Sequence, residues 1–235
     1  MEPVLTEIQQ VTVNHLVPLV KHAFAQAFAG AGQVEPGVLE MVGMSGRKYR
    51  LFINTLIKTL PNPRYLEIGS WSGSTLCAAI NGNVVNAVAI DNWSQFGGPR
   101  DKFIANLAAF RSPSADVRLI EDDFRRVDYG SLGKFNVFMF DGPHEAEDQY
   151  DGISLARQAL DDQFVLIVDD WNWPQVRVGT SQAIARLELS LLYGLEIRST
   201  LDNSHPEVGF QNSDWHNGYF IAVVGQPPVG ARVAG

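Results

Sequence analysis

Apolar residues in this 235-residue chain come in two rhythms. From Arg64 onward, short continuous apolar runs alternate with longer mixed stretches. The runs 64–69, 85–91, 116–121, 135–141 and 163–169 predict strands, with further strands near 195–201 and at 218–225. Val137-Phe138-Met139-Phe140 is representative: an unbroken apolar run is what a strand covered on both faces requires. Helical segments fall between, near 74–80, 99–111, 145–160 and 174–193. This alternation predicts an α/β class fold with a doubly wound, mostly parallel sheet. Ligands of such sheets sit beyond the carboxyl ends of the strands, where the strand order reverses.

The rhythm before Arg64 is helical. Residues 4–30 predict a helix on the stripe Val11, Val13, Leu16, Leu19, Val20, Phe24 and Phe28, kinked or split by Pro18. A second helix is expected over 47–60, stopped by Pro61-Asn62-Pro63. The expected organisation is an N-terminal helical cap or interface segment (1–62), the α/β domain (63–226) and an irregular tail (227–235). The N-terminal helices also offer a surface for a homodimer.

The most informative stretch is Leu66-Glu67-Ile68-Gly69-Ser70-Trp71-Ser72-Gly73-Ser74. An apolar run ends in an acid, two glycines follow four residues apart, and a helix begins. Gly69 can take backbone angles that side chains forbid, and Gly73 lets the backbone approach a ligand. Nearly every strand then ends in an acid: Glu67, Asp91, Glu121-Asp122-Asp123, Asp141 and Asp169-Asp170. Burying an unpaired charge is costly, so acids repeated along one sheet edge point to a site. Asp91 follows the glycine turn at the distance where an acid can accept the two hydroxyls of a ribose. The spacing is not the G-x-G-x-x-G of dinucleotide enzymes and lacks a Walker lysine, so a nucleoside without phosphates fits better.

Composition narrows the classes. The formal charge of -8 and scattered basic residues argue against a nucleic-acid footprint. The one cysteine, Cys77, falls in an expected buried helix, which leaves neither a disulfide framework nor a thiolate metal site. No signal-peptide pattern and no membrane-length apolar run is present, so no membrane partner and a cytoplasmic location are expected.

These residues resemble the class I S-adenosylmethionine-dependent methyltransferases. The resemblance covers about residues 64–225 and implies a Rossmann-like sheet of seven strands, the last antiparallel. It implies that Glu67, Gly69, Ser70, Trp71, Gly73 and Ser74 surround the methionine part of the cofactor. Asp91, Asn92 and Trp93 would lie at the ribose, and Asp122 or Asp123 at the adenine. A narrower resemblance is to metal-dependent small-molecule O-methyltransferases of the macrolide-sugar and catechol types. It rests on Asp141-Gly142-Pro143-His144 and on Asp169-Asp170. The histidine resembles the sugar enzymes more than the catechol enzymes, which carry Lys there.

The chemistry this implies is methyl transfer to a hydroxyl of a small acceptor. Asp141, Asp169 and Asp170 would hold a hard cation, Mg²⁺ first, with Mn²⁺ or Ca²⁺ as alternatives. Asp141 would also touch the cofactor. His144 would act as general base, since histidine moves protons near neutrality. Successive strand residues point to opposite faces, so Asp169 and Asp170 reach one ion only if the strand bends between them. Trp171, Trp173, His205, Trp215 and His216 are candidates for the acceptor side. Other readings stay open. Asp141 and Asp170 could be helix N-caps, Asp122 and Asp123 a solvated turn, and the tryptophans core packing. The function could equally be metal-free N- or O-methyl transfer, or non-catalytic cofactor binding in an assembly.

Overall fold

The computed structural model describes residues 2–9 and 14–225. One mixed sheet of eight strands runs through it, in the order β1-β7-β8-β6-β5-β2-β3-β4. The strands are β1 (Val4–Gln9), β2 (Arg64–Ile68), β3 (Val85–Ile90), β4 (Ala115–Ile120), β5 (Phe135–Phe140), β6 (Leu160–Asp169), β7 (Ser190–Arg198) and β8 (Tyr219–Gly225). β2 to β6 are mutually parallel, and β8 runs antiparallel between β6 and β7. Every residue of β5 and β8 is buried, as their unbroken apolar sequences require. The order reverses between β2 and β5, which places a crevice at their carboxyl ends.

The helices are α1 (Leu16–Phe28), α2 (Pro36–Glu40), α3 (Arg47–Thr59), α4 (Ser74–Ile80), α5 (Arg100–Phe110), α6 (Ala146–Ala156) and α7 (Pro174–Arg186). α1 to α5 contribute to the core on one face of the sheet, and α6 and α7 to the core on the other. None of the described helices is long and apolar enough to cross a membrane.

The Rossmann-like class stands, with one strand more than expected. The expected helix over 4–30 is corrected: Val4–Gln9 is β1, antiparallel to the edge strand β7. Val4, Thr6 and Ile8 are β-branched, and a free strand edge offered their backbone partners that a helix would otherwise supply. The stripe positions Val11 and Val13, and the tail 227–235, lie outside the described residues. Pro18 neither kinks nor splits α1. It sits in the first turn, where its missing N–H loses no helical partner. Asn14 Oδ1 accepts there from the N–H groups of Leu16 (2.7 Å) and Val17 (3.2 Å).

Two boundaries also move. The expected helix 145–160 stops at Ala156, and a single 3₁₀ turn leads into β6 at Leu160. The expected helix 174–193 ends at Arg186, so β7 starts at Ser190 rather than near 195. The stop is a Schellman turn with Glu188 in the left-handed region (φ 52°). Leu189 N–H donates to Ile184 and Glu188 N–H to Ala185. A glycine would have announced this turn in the sequence, and none is there.

One buried cation shapes the approach to the crevice. Arg50 of α3 is fully buried, and among the described residues no carboxylate pairs with it. Its guanidinium donates to the carbonyls of Val38, Leu39, Met41, Gly43 and Ser45, and to Ser45 Oγ, at 2.8–3.2 Å. Burial pulls its pKa down to about 10, which leaves it charged at neutral pH. The strap 38–45 is thereby folded around one side chain and pinned to α4 through Ser45 Oγ and Ser74 Oγ, 2.8 Å apart. Arg50→Met should leave several buried carbonyls without donors and lower stability by roughly 3–5 kcal/mol. The urea midpoint should fall accordingly, and an unchanged midpoint would refute the hub role.

Candidate active site

The crevice is a cavity of about 590 Å³ at the carboxyl ends of β2, β3, β5 and β6. Gly69, Trp71, Asp91, Asn92, Trp93, Asp122, Asp123, Asp141, His144, Asp169 and Asp170 all line it, as do Trp173, His205 and His216. The sheet therefore gathers residues from six separate stretches of chain. Met44 at the end of the strap contributes as well.

The glycine turn is built for close approach. Gly69 has φ 85°, and a Cβ on it would lie 1.9 Å from the Asp141 carbonyl oxygen. Only a residue without a side chain lets the ends of β2 and β5 come this near. Asp91 clamps the turn from the next strand. Its Oδ2 accepts from Ser70 N–H (2.7 Å) and Trp71 N–H (2.8 Å), and its Oδ1 from Trp93 N–H (2.7 Å).

Other residues of the turn are placed differently from the sequence expectation. Glu67 is completely buried and does not line the cavity. It accepts from Tyr65 Oη and from Ser70 Oγ, each at 2.6 Å. It therefore holds the turn from beneath instead of meeting a ligand. Gly73 (φ 86°) caps α4 against the Phe103 ring, and Ser70 and Ser74 are buried away from the cavity. Trp171 and Trp215 are core residues: Trp171 stacks on Phe220 at 4.5 Å, and Trp215 on Phe24 at 5.6 Å. Both are removed from the acceptor side.

The acids at the other end are a coupled set. The backbone does bend where it must: Asp170 has φ 57°, directly after the last residue of β6. His144 Nε2 and Asp170 Oδ2 are 2.7 Å apart. Asn217 Nδ2 donates to Asp170 Oδ1, also at 2.7 Å. Burial pushes Asp170 up, but the hydrogen bonds from His144 and Asn217 outweigh it and hold the carboxyl below its ordinary range. Asp170 is therefore a carboxylate and can only accept, so the proton of the short contact sits on His144 Nε2.

Asp141 and Asp169 behave in the opposite way. Burial first, and then negative neighbours (Asp169 and Asp170 for Asp141, Asp170 for Asp169), drives both well above the usual carboxyl range. Neither Asp141 nor Asp170 caps a helix. α6 is capped by Glu145 in a capping box with Asp148, and α7 starts at Pro174 behind Trp173.

Aromatic rings close the mouth. Phe96, His144, Trp173, His205, His216 and Phe210 follow one another with centroids 5.1–6.4 Å apart. His216 is nearly buried, its Nδ1 accepts from Phe210 N–H at 3.0 Å, and burial lowers its pKa to about 4. Phe96 escaped the sequence reading. Its signal is the Gly97-Gly98 pair, which turns the chain back over the cavity after Trp93. Six non-glycine residues of the cavity have positive φ: Trp71, Trp93, Phe96, Asp170, Phe210 and His216. Strain held this consistently around one cavity is characteristic of a functional site.

Arg125 is the one lysine or arginine among the described lining residues, and Asp148 (2.7 Å) and Asp151 (2.9 Å) occupy it. Asp122 pairs with Arg126, and Asp123 accepts from Arg125 N–H.

Comparison with known proteins agrees with this architecture. Residues 66–171 match a sequence family described as a methyltransferase domain. No curated protein matches the chain. Among solved structures, TrmN from Thermus thermophilus is similar at 13% identity with a TM-score of 0.52, covering 76% of this chain and 49% of that one. The chain thus spans about half the length of TrmN (49%). An O-methyltransferase from Bacillus cereus, solved in complex with SAH, aligns at 17% identity and a TM-score of 0.51. The alignment covers 91% of this chain and 92% of that one. At these identities the likeness is one of fold.

Glu67 carries a testable pH signature. Burial raises its pKa from 4.5 to about 7, so the fold favours its protonated form. Its contribution to stability is complete below the ordinary glutamate range and is lost as pH rises through about 7. Glu67→Gln should flatten the fall in Tm across this window and recover up to about 3 kcal/mol at pH 8. Parallel Tm-versus-pH curves for wild type and variant would contradict a buried, proton-binding Glu67.

Proposed function

We propose that the protein is an S-adenosylmethionine-dependent methyltransferase acting on a hydroxyl of a small, uncharged acceptor. The observation that carries the reading is the joining of two half-sites in one cavity. The Asp91-clamped glycine turn lies at one end, and His144, Asp141, Asp169 and Asp170 lie at the other. The matched methyltransferase-domain family and the shared fold support the cofactor.

In this reading the turn at Gly69 and Trp71 receives the methionine part, Asp91 with Asn92 and Trp93 the ribose, and Asp122 or Asp123 the adenine. Asp91 can serve a ribose hydroxyl with the acceptor site left over, about one of four, beside its three N–H donors. His144 carries its proton on Nε2, so Nδ1 is the basic nitrogen that takes the acceptor's hydroxyl proton. Asp170 stabilises the imidazolium that results, in the manner of a carboxylate–histidine pair. The acceptor oxygen then attacks the methyl carbon, the carbon–sulfur bond breaks, and the neutral thioether leaves. Trp173, Phe96 and Phe210 hold the acceptor and exclude water from the acids. The lack of a free cation in the described wall disfavours phosphorylated acceptors and nucleic acids.

A divalent cation fits the same acids. Asp141 and Asp169 stand above their ordinary range for want of positive charge, which a hard ion on oxygen ligands would supply. Asp170 would be the shared ligand, because its carboxylate lies within 4.8 Å of ligand atoms of Asp141 and His144 and, separately, of Asp169 and His216. Bound there, it would acidify and orient the acceptor hydroxyl. A metal-free version of the reaction draws on a different observation: both Asp170 oxygens already accept hydrogen bonds.

Two measurements test the reading. Calorimetric titration with S-adenosylhomocysteine should give micromolar binding that Asp91→Asn weakens by at least about tenfold, or roughly 1.4 kcal/mol. No binding to wild type would sink the methyltransferase reading. With an acceptor found on a panel of sugar and phenolic hydroxyls, EDTA should abolish turnover and Mg²⁺ restore it. Full activity in EDTA would select the metal-free version. Retention of full kcat by His144→Gln would remove the base assignment.

A further inference from the structure

Behind Asp170 lies a chain of buried amides that none of the chemistry above uses. Asn217 and Asn172 are both fully buried, and the Asn217 side chain bridges Asp170 to Asn172. Asn172 Oδ1 accepts from the backbone N–H groups of Ser199 (3.0 Å) and Thr200 (3.3 Å). A backbone N–H can only donate, so the orientation of the Asn172 amide is forced. Its Nδ2 must donate, and it does so to Ser199 Oγ (2.8 Å) and Asn217 Oδ1 (2.9 Å). That fixes the Asn217 amide in turn, whose Nδ2 donates to Asp170 Oδ1 (2.7 Å). The other oxygen of Asp170 faces His144 Nε2 at 2.7 Å. Donation therefore runs one way from the Ser199 backbone to Asp170, which accepts on its other oxygen from the imidazole.

The backbone holds this chain rigidly. Trp171 N–H donates to the Gly218 carbonyl and Asn172 N–H to the Asn217 carbonyl (3.0 Å), continuing the β6–β8 pairing beyond the strands. Gly218, at φ 84°, leaves room for it, since a Cβ there would lie 3.0 Å from Asn172 Oδ1.

We propose that Asn217, clamped by Asn172, is a positioning residue that acts through Asp170 to fix His144 in its Nε2–H tautomer. With the Asn217 donor in place, Asp170 cannot rotate its plane away from His144 without breaking a buried hydrogen bond. Nδ1 is then the nitrogen left to accept a proton in the cavity. The tautomer assignment stands on the hydrogen-bond geometry around an ionised Asp170. Its catalytic consequence rests on the methyl-transfer reading.

The test uses the full chain labelled with ¹⁵N-histidine. Long-range ¹H–¹⁵N spectra above the imidazole titration range read the tautomer of each neutral ring, with His144 assigned by its disappearance in His144→Gln. Wild type should show His144 protonated at Nε2. Asn217→Leu, which keeps the shape and removes the donor, should give a mixture of tautomers. Asn217→Ser, which keeps a donor, should restore part of the Nε2–H form. S-adenosylhomocysteine binding should be unchanged in both variants, because the glycine turn is untouched. With an acceptor in hand, Asn217→Leu should lower kcat roughly 10–100-fold at unchanged KM. An unperturbed Nε2–H signal in a folded Asn217→Leu overturns the proposal. If that variant does not fold, an Asn217→Ser spectrum with His144 protonated at Nδ1 overturns it instead. Failure of wild type to bind S-adenosylhomocysteine overturns the methyl-transfer reading and leaves the tautomer result standing.

Discussion

Carboxylates kept out of water at one edge of the sheet are the constraint to which the surrounding structure answers. Glu67, Asp169 and Asp170 are buried, and Asp141 lies half-buried among them. Unpaired ionised acids cannot be held in such a place, so each has its own compensation. Glu67 has two hydroxyl donors and takes up a proton readily. Asp170 has His144 and Asn217, and stays ionised. Asp141 and Asp169 remain short of positive charge and are driven toward protonation. Three solutions to one electrostatic problem set the acids apart in role, although they are near neighbours in space.

The backbone serves the same end. The close approach of Gly69 to the Asp141 carbonyl brings the ends of β2 and β5 together, and the left-handed turn at Asp170 swings its side chain toward the neighbouring strand's acid. Strain at Phe210 and His216 folds the loop after β7 over the cavity, where the rings form a nearly continuous wall. On the opposite side, Arg50 gathers the strap 38–45 with one guanidinium. A polar floor, an aromatic rim and rigid supports behind both are what the proposed methyl transfer would need to orient its acceptor.

Much of this was legible in the chain. The parallel strands were recognisable because burial on both faces demands unbroken apolar runs. The acids were recognisable because carboxylates repeated at the ends of buried runs are costly unless something at that edge uses them. The elements read wrongly share a cause. β1 is a strand because β7 offers it an edge, and no local pattern records the presence of a distant partner. α7 stops in a left-handed turn made by Glu188, a residue that carries no breaker signal.

The sequence by itself determined the sheet, the glycine turn and the set of acids at the carboxyl edge, since period, chain length and the cost of buried charge act locally along the chain. The tertiary structure alone decided what each residue does. Glu67 turned inward, Trp171 and Trp215 joined the core, and Asn217 reached Asp170 across 47 positions of sequence. A side chain's role depends on which donors and charges surround it, and those arrive from strands that meet only when the sheet closes.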